Sequence, residues 1–184
     1  ISGIPPGLIM ASILILYSTT DGHTRHICQR IQQRLEAAGH CVTLASIINE
    51  VPEKLDAFDK IVIGARIRYG LHQRQVFDFV REHQALLDSR PNAFFSVNIV
   101  ARKPEKNRPE TNPYLRKFLQ RTLWKPKRLA VFAGRLDYPA CRFYDRWTIQ
   151  FIMWMTKGPT DPSTVVEFTD WQAVDRFAQE ISVM

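Results

Sequence analysis

The residues best suited to chemistry lie in Tyr17-Ser18-Thr19-Thr20-Asp21-Gly22-His23-Thr24-Arg25, directly after the apolar run Ile13-Leu14-Ile15-Leu16 and before a long helical pattern. A strand that ends in Ser, Thr and Gly and turns straight into a helix aims unpaired backbone N–H groups and hydroxyls at one point before the helix N-terminus. An anion fits there. Neither G-x-G-x-x-G nor G-x-x-x-x-G-K-[ST] is present, which disfavours dinucleotide and nucleoside-triphosphate cradles and leaves one compact phosphomonoester. The same residue types also serve ordinary helix capping, so the rest of the chain must decide between the two uses.

The elements that must hold this stretch follow from hydrophobic periodicity. Ile27, Cys28, Ile31, Leu35 and Ala38 recur at helical spacing up to Gly39. Cys41–Ala45 reads as a second strand, Lys60–Ala65 as a strand covered on both faces, Ala93–Val100 as a fourth and Leu129–Gly134 as a fifth. Val76, Phe79, Val80, His83, Leu86 and Leu87 mark a helix between strands three and four. Pro113–Leu123 marks another before strand five, and Thr169-Asp170-Trp171-Gln172 opens the last helix as a capping box. Val165–Phe168 is expected to be a short edge strand. Strands alternating with helices specify an α/β fold with a parallel sheet and right-handed crossovers.

The chain has 184 residues, 45% hydrophobic, enough for one buried core and short for two. We read residues 10–184 as one domain and Ile1–Ile9, uncharged and aperiodic, as a remnant foreign to it, with Met10 the natural start. The first apolar run is too short for a signal peptide or a membrane span, so a cytoplasmic protein is expected. Cys28, Cys41 and Cys141 form no C-x-x-C pair, which argues against a disulfide framework or zinc; no metal site is expected.

The formal charge of +7 is localised. Residues 102–128 carry ten Lys/Arg against two acids, while the remainder is about neutral, 15 basic to 16 acidic. Such a field faces an anionic partner (acidic substrate, lipid headgroups or nucleic acid) or is a solubilising face. With Pro104, Pro109 and Pro113 it suggests a mobile insertion, about residues 101–127, that orders on a partner. Residues 144–158 form an extra helix in which Ile149-Gln150-Phe151-Ile152-Met153-Trp154-Met155 is apolar almost all round. Burial on the sheet, a contact between copies in a homo-oligomer, and a membrane interface all fit that composition, burial with a modest edge.

In an open parallel sheet, ligands sit beyond the strand C-termini where strand order reverses, so the loops after strands one, three and four should converge. The second loop is Arg66-Ile67-Arg68-Tyr69-Gly70, with a ring able to stack on a flat heterocycle; the third starts at Asn98-Ile99-Val100. Phosphate grip, aromatic and a further loop of backbone groups are what flavin mononucleotide (FMN) requires.

Those residues also carry a family resemblance. Tyr17–Arg25, Gly-Ala-Arg-Ile-Arg-Tyr-Gly from Gly64, Ser-Val-Asn-Ile-Val-Ala-Arg-Lys-Pro-Glu-Lys from Ser96, Tyr-Asp-Arg-Trp from Tyr144 and Phe-Thr-Asp-Trp from Phe168 resemble the flavodoxin-type, quinone-dependent protoporphyrinogen dehydrogenases of haem biosynthesis. Arg66 departs from the smaller residue expected there. The resemblance implies a flavodoxin-like five-stranded sheet in order 2-1-3-4-5 with helices on both faces, and FMN-dependent oxidation of protoporphyrinogen IX with electrons passed to ubiquinone or menaquinone at the inner face of the cell membrane. It implies FMN contacts from Ser18, Thr19, Thr20, Asp21, Gly22, His23, Thr24, Arg66, Ile67, Arg68, Tyr69, Gly70, Asn98, Ile99 and Val100. No catalytic base is evident; Tyr69 and His72 are weak proton-relay candidates, His72 more naturally a surface residue at a helix start. Arg102, Lys103 and Lys106 are assigned to the substrate propionates and the other cations to an anionic, peripherally bound membrane surface. Nucleic acid is not among the expected partners. The alternative is a flavodoxin-like electron carrier or quinone reductase without porphyrinogen activity.

Overall fold

The computed structural model describes residues 9–68, 70–139, 143–155 and 157–184. Tyr69, Cys141 and all of the leading segment except Ile9 lie outside the described residues.

Strand β1 (Ser12–Ser18) leads into helix α1 (His23–Ala37), followed by β2 (Cys41–Ser46) and β3 (Lys60–Arg68). A two-residue β4 (Leu71–His72), α2 (Arg74–Glu82), α3 (Gln84–Asp88) and β5 (Asn92–Asn98) come next. Beyond β5 lie two 3-10 turns (Ile99–Arg102 and Pro104–Lys106), α4 (Pro113–Arg121), β6 (Arg128–Ala133), β7 (Arg135–Asp137), α5 (Phe143–Met155), β8 (Val165–Glu167) and α6 (Trp171–Ser182). The main sheet runs β2-β1-β3-β5-β6, all pairs parallel, with β4 attached only to β3. Leaving β4 aside, this is the expected order 2-1-3-4-5.

Alternation along the strands explains the two covered faces. Leu14, Leu16, Ile61, Ile63 and Phe94 point into a core with Val76, Phe79, Val80, Leu87, Leu115 and Phe118 of α2, α3 and α4. Their neighbours Ile13, Ile15, Val62, Ala93 and Phe95 point the other way, onto Ile27, Ile31 and Leu35 of α1 and Val174, Phe177 and Ile181 of α6. Each fully buried Leu, Ile, Val or Phe among these contributes ~1.5–3 kcal/mol of burial free energy before entropy is counted. Gly64 is required for packing: a Cβ there would collide with the Phe95 ring. Arg30 and Arg34 of α1 both pair with Asp175 of α6, holding its carboxyl well below the usual range and tying the two helices together. Cys28 is buried among these helices, and burial pushes its thiol up, as for an inert filler.

Several elements differ from the sequence expectation for identifiable reasons. Strand three continues through Arg66–Arg68 because it pairs antiparallel with Leu71–His72, so the expected loop is a hairpin. The helix expected through Leu87 breaks at His83 into α2 and α3. Val165–Glu167 pairs with Arg135–Asp137 in a separate two-stranded sheet rather than edging the main one. Asp170, not Thr169, caps α6, accepting from the N–H groups of Gln172 and Ala173. The basic insertion, expected to be mobile, is folded into turns and a capped helix: the Asn112 side chain accepts from Tyr114 and Leu115 N–H at the start of α4.

Candidate functional site

The turn from β1 into α1 is built to leave donors open. Gly22, at φ +83°, is the N-cap of α1; it offers no side-chain cap, and no acid lies in the first helical turn. The turn closes on itself instead. Gly22 N–H donates to Thr19 Oγ1 (3.0 Å), His23 N–H donates to Asp21 Oδ1 (3.2 Å), and Ser18 Oγ donates to Gln73 Oε1 (2.8 Å). Gln73 Nε2 donates to Thr20 Oγ1 at 3.4 Å, so the start of α2 braces the turn. Thr24 Oγ1 is buried and has no hydrogen-bond partner. An orphaned hydroxyl on the first turn of a helix is the mark of a ligand oxygen to be supplied from outside.

That hydroxyl belongs to the wall of a solvent-connected cleft at the C-terminal ends of the central strands. Asp21, His23 and Thr24 line it from the first turn, Arg66 and Ile67 from β3, and Asn98 and Ile99 from β5. The three expected loops therefore converge. Val97, Gly134 and Arg135 also line the cleft and were missed from the sequence. The last two follow β6, whose C-terminal end lies beside that of β5, a placement only the strand order reveals. Ser18 and Val100 are buried outside the lining; Thr19, Thr20, Gly22, Arg68 and Gly70 also lie outside it. Arg66 Nη1 forms an ion pair with Asp21 Oδ2 at 3.0 Å. His23 Nε2 lies 2.7 Å from Thr169 Oγ1, whose own proton goes to the Ala133 carbonyl at 2.8 Å. The hydroxyl must then accept, so His23 carries a proton on Nε2; burial lowers its pKa from the ordinary value.

His72, expected at the surface, is buried at 5% exposure. Its pairing in β4 turns it inward, where it packs edge-on against Phe94 and Phe118 and Nε2 meets Ser96 Oγ at 2.9 Å. Burial pushes its pKa down to about 3, and it does not line the cleft, so it is a neutral packing group rather than a proton relay. Tyr69, the other relay candidate, lies outside the described residues. Asn98 extends the polar chain: Nδ2 donates to Ser96 Oγ (3.2 Å), while Oδ1 accepts from Ala101 N–H (3.1 Å) and Asn112 Nδ2 (3.1 Å). Asn112 Nδ2 also donates to the Lys106 carbonyl (2.8 Å). A cleft residue is thus tied through two buried amides to the basic insertion. Arg102, Lys103 and Lys106 are half-buried and outside the cleft lining, in the turns that follow Asn98.

A family profile for the flavodoxin domain matches residues 14–163. Protoporphyrinogen IX dehydrogenase (quinone) of Escherichia coli K12 is 46% identical over 169 residues, covering 92% of this chain and 93% of that protein. The Leishmania major protein of the same name is 43% identical over 173 residues, covering 93% of this chain and 74% of that one. Among solved structures, flavodoxin 2 from Bacillus cereus matches with a TM-score of 0.54 at 19% identity over 94% of this chain and 99% of that one. An archaeal flavodoxin matches at 0.53 and 14% identity, over 94% and 96%. These two show the shared fold. The chain belongs to the flavodoxin-domain family that includes the protoporphyrinogen IX dehydrogenases (quinone).

Proposed function

We propose that the cleft holds FMN and that the protein oxidises protoporphyrinogen IX to protoporphyrin IX, passing the electrons to ubiquinone or menaquinone in haem biosynthesis. The observation that carries the cofactor assignment is Thr24 Oγ1, buried and unpartnered beside the uncapped N-terminus of α1 and across from the Arg66 guanidinium. These donors suit one phosphate group. The extent and level of identity to proteins that carry the dehydrogenase name support this reaction over a simple electron carrier.

The residues then divide by task. Thr24, the N–H groups of the first turn and Arg66 would hold the phosphate; Ser18, Thr19, Thr20 and Gly22 shape the turn. Ile67, Asn98 and Ile99 would flank the ring, with Arg68, Gly70 and Val100 completing those two loops. Bound FMN supplies the hydride-accepting centre and the two-electron link to the quinone. Of the carboxylate and imidazole groups lining the cleft, Asp21 is held by Arg66 and His23 by Thr169, so the protein's main contribution is placement of the cofactor and substrate. Arg102, Lys103 and Lys106 would pair with the substrate propionates, and the other cations would keep the protein at the anionic inner face of the bacterial membrane, where the quinone resides.

Lys103→Glu combined with Lys106→Glu tests the substrate assignment. KM for protoporphyrinogen IX should rise about tenfold or more while bound FMN per chain stays constant. Unchanged kinetics would remove these lysines from the substrate site, and loss of FMN would place them at the cofactor instead.

A further inference from the structure

Helix α5 has two unlike sides. Met153 is fully buried and Ile149 half-buried, packed with Leu136, Tyr138 and Ile99. The other side is open: Trp147 is 64% exposed, Phe151 58%, Trp154 70% and Met155 61%. Positions 147, 151 and 154 fall on one helical stripe, and the Phe151 and Trp154 rings lie 6.1 Å apart, so this is one continuous patch. The other exposed large apolar residues (Ile9, Met10, Ile48, Leu71, Leu123, Val165 and Val183) lie outside α5. Burial on the sheet therefore accounts for one side of α5 and leaves an aromatic face toward solvent.

The charge around that face is cationic. Residues 142–158 carry Arg142, Arg146 and Lys157 against one acid, Asp145. At Gly158, just past the helix, a Cβ would come within 2.5 Å of Met153 Cε and 2.7 Å of Arg102 Nη2. The glycine lets Arg102 approach the C-terminal end of α5, so the start of the basic insertion lies beside that end of the helix. Tryptophans beside lysines and arginines, on a helix of 13 residues and ~20 Å, suit the interface of an anionic bilayer rather than a crossing of it. Among the described residues no helix is long and apolar enough to cross.

We propose that α5 is a shallow interfacial anchor whose Trp147, Phe151, Trp154 and Met155 face enters the headgroup boundary of an anionic bilayer. Lys157 and the adjoining basic insertion meet the lipid phosphates. The anchor also has a fixed relation to the cleft: Ile99 both lines the cleft and belongs to the cluster on which Met153 packs. In so far as it concerns access of a lipid-dissolved quinone, this rests on the reaction proposed above; the binding itself does not.

The test is co-sedimentation of the full chain with vesicles of phosphatidylcholine alone or with about one-third phosphatidylglycerol, without flavin or porphyrinogen. Binding should be at least about tenfold tighter to the anionic vesicles, and Phe151→Ser with Trp154→Ser should lower it by about tenfold or more. Thermal unfolding and turnover with a water-soluble quinone should be unchanged. Lipids brominated near the headgroups should quench tryptophan emission of the unmodified protein, a readout that stands if the double variant fails to fold. Equal binding by the variant, absence of quenching, or a concentration-dependent dimer that the variant abolishes without vesicle binding would each overturn the proposal. Vesicle binding without turnover would leave the anchor standing and defeat the reaction.

Discussion

Arg66 and Asp21 meet at 3.0 Å, joining the end of β3 to the turn before α1 across the cleft wall. Asp21 engages two donors that an incoming phosphate would use, the His23 N–H and the Arg66 guanidinium. The pair is partly exposed, so its own worth to stability is small. Its effect on ligand affinity has a definite sign. Arg66→Ser should weaken FMN binding about tenfold and leave riboflavin, which lacks the phosphate, nearly unaffected. Asp21→Asn should tighten FMN a few-fold, because one negative charge beside the phosphate is gone. Flavin-fluorescence titrations at two salt concentrations read both; parallel changes for FMN and riboflavin would place the pair away from the phosphate.

Thr24 separates binding from folding. Its hydroxyl has no partner in the protein, so Thr24→Val removes an unsatisfied buried polar atom and should leave apoprotein stability equal or higher by up to ~1 kcal/mol. FMN affinity should fall by about tenfold to a hundredfold, the loss of one hydrogen bond to a charged group. A variant that lost stability with unaltered FMN affinity would show that the hydroxyl serves the fold.

His72 makes stability depend on pH. Its folded pKa of about 3 lies below the unfolded value near 6.5, so the unfolded chain binds the extra proton first. Stability is then full above pH 6.5 and declines as pH falls toward 3, by about 2 kcal/mol between pH 7.5 and 5 from this group alone. His23 and His40 are also lowered and act in the same direction. Urea unfolding across that range should show the slope, and His72→Asn should make it shallower. A pH-independent midpoint would contradict the burial of this ring.

The backbone of the fold was legible because its signals are local. Runs such as Ile13–Leu16 and Lys60–Ala65 fit strands covered on both faces, and Ile27, Ile31 and Leu35 specify one face of α1. The first turn was legible too, since Gly22 and Thr24 follow directly on a strand. What stayed hidden depends on distant pairing. His72 looks like a surface residue until Leu71–His72 pairs with Ile67–Arg68, and Arg135 joins the cleft only because β6 lies beside β5. Helix α5 was ambiguous for a different reason: apolar residues on every side erase the periodicity that tells a packed face from an exposed one.

Asn112 couples the insertion to the cleft. Asn112→Ala removes the α4 cap and two donated bonds, leaving the Asn98 amide short of a partner, and should cost about 2–3 kcal/mol. Asn112→Asp keeps the cap acceptor and loses the donors. Because Lys103 and Lys106 lie in the strutted segment, both variants should raise KM for protoporphyrinogen IX more than they alter FMN affinity. The opposite ranking would mean that the strut serves only the cofactor.

The central claim is tested most directly by anaerobic turnover. Protein reconstituted with FMN, given protoporphyrinogen IX and a quinone, should generate protoporphyrin fluorescence at a rate that depends on both FMN and quinone. Arg66→Ser should require more FMN to reach that rate. Stoichiometric FMN binding with no quinone-dependent protoporphyrin formation would contradict the account and leave a flavodoxin-like electron carrier.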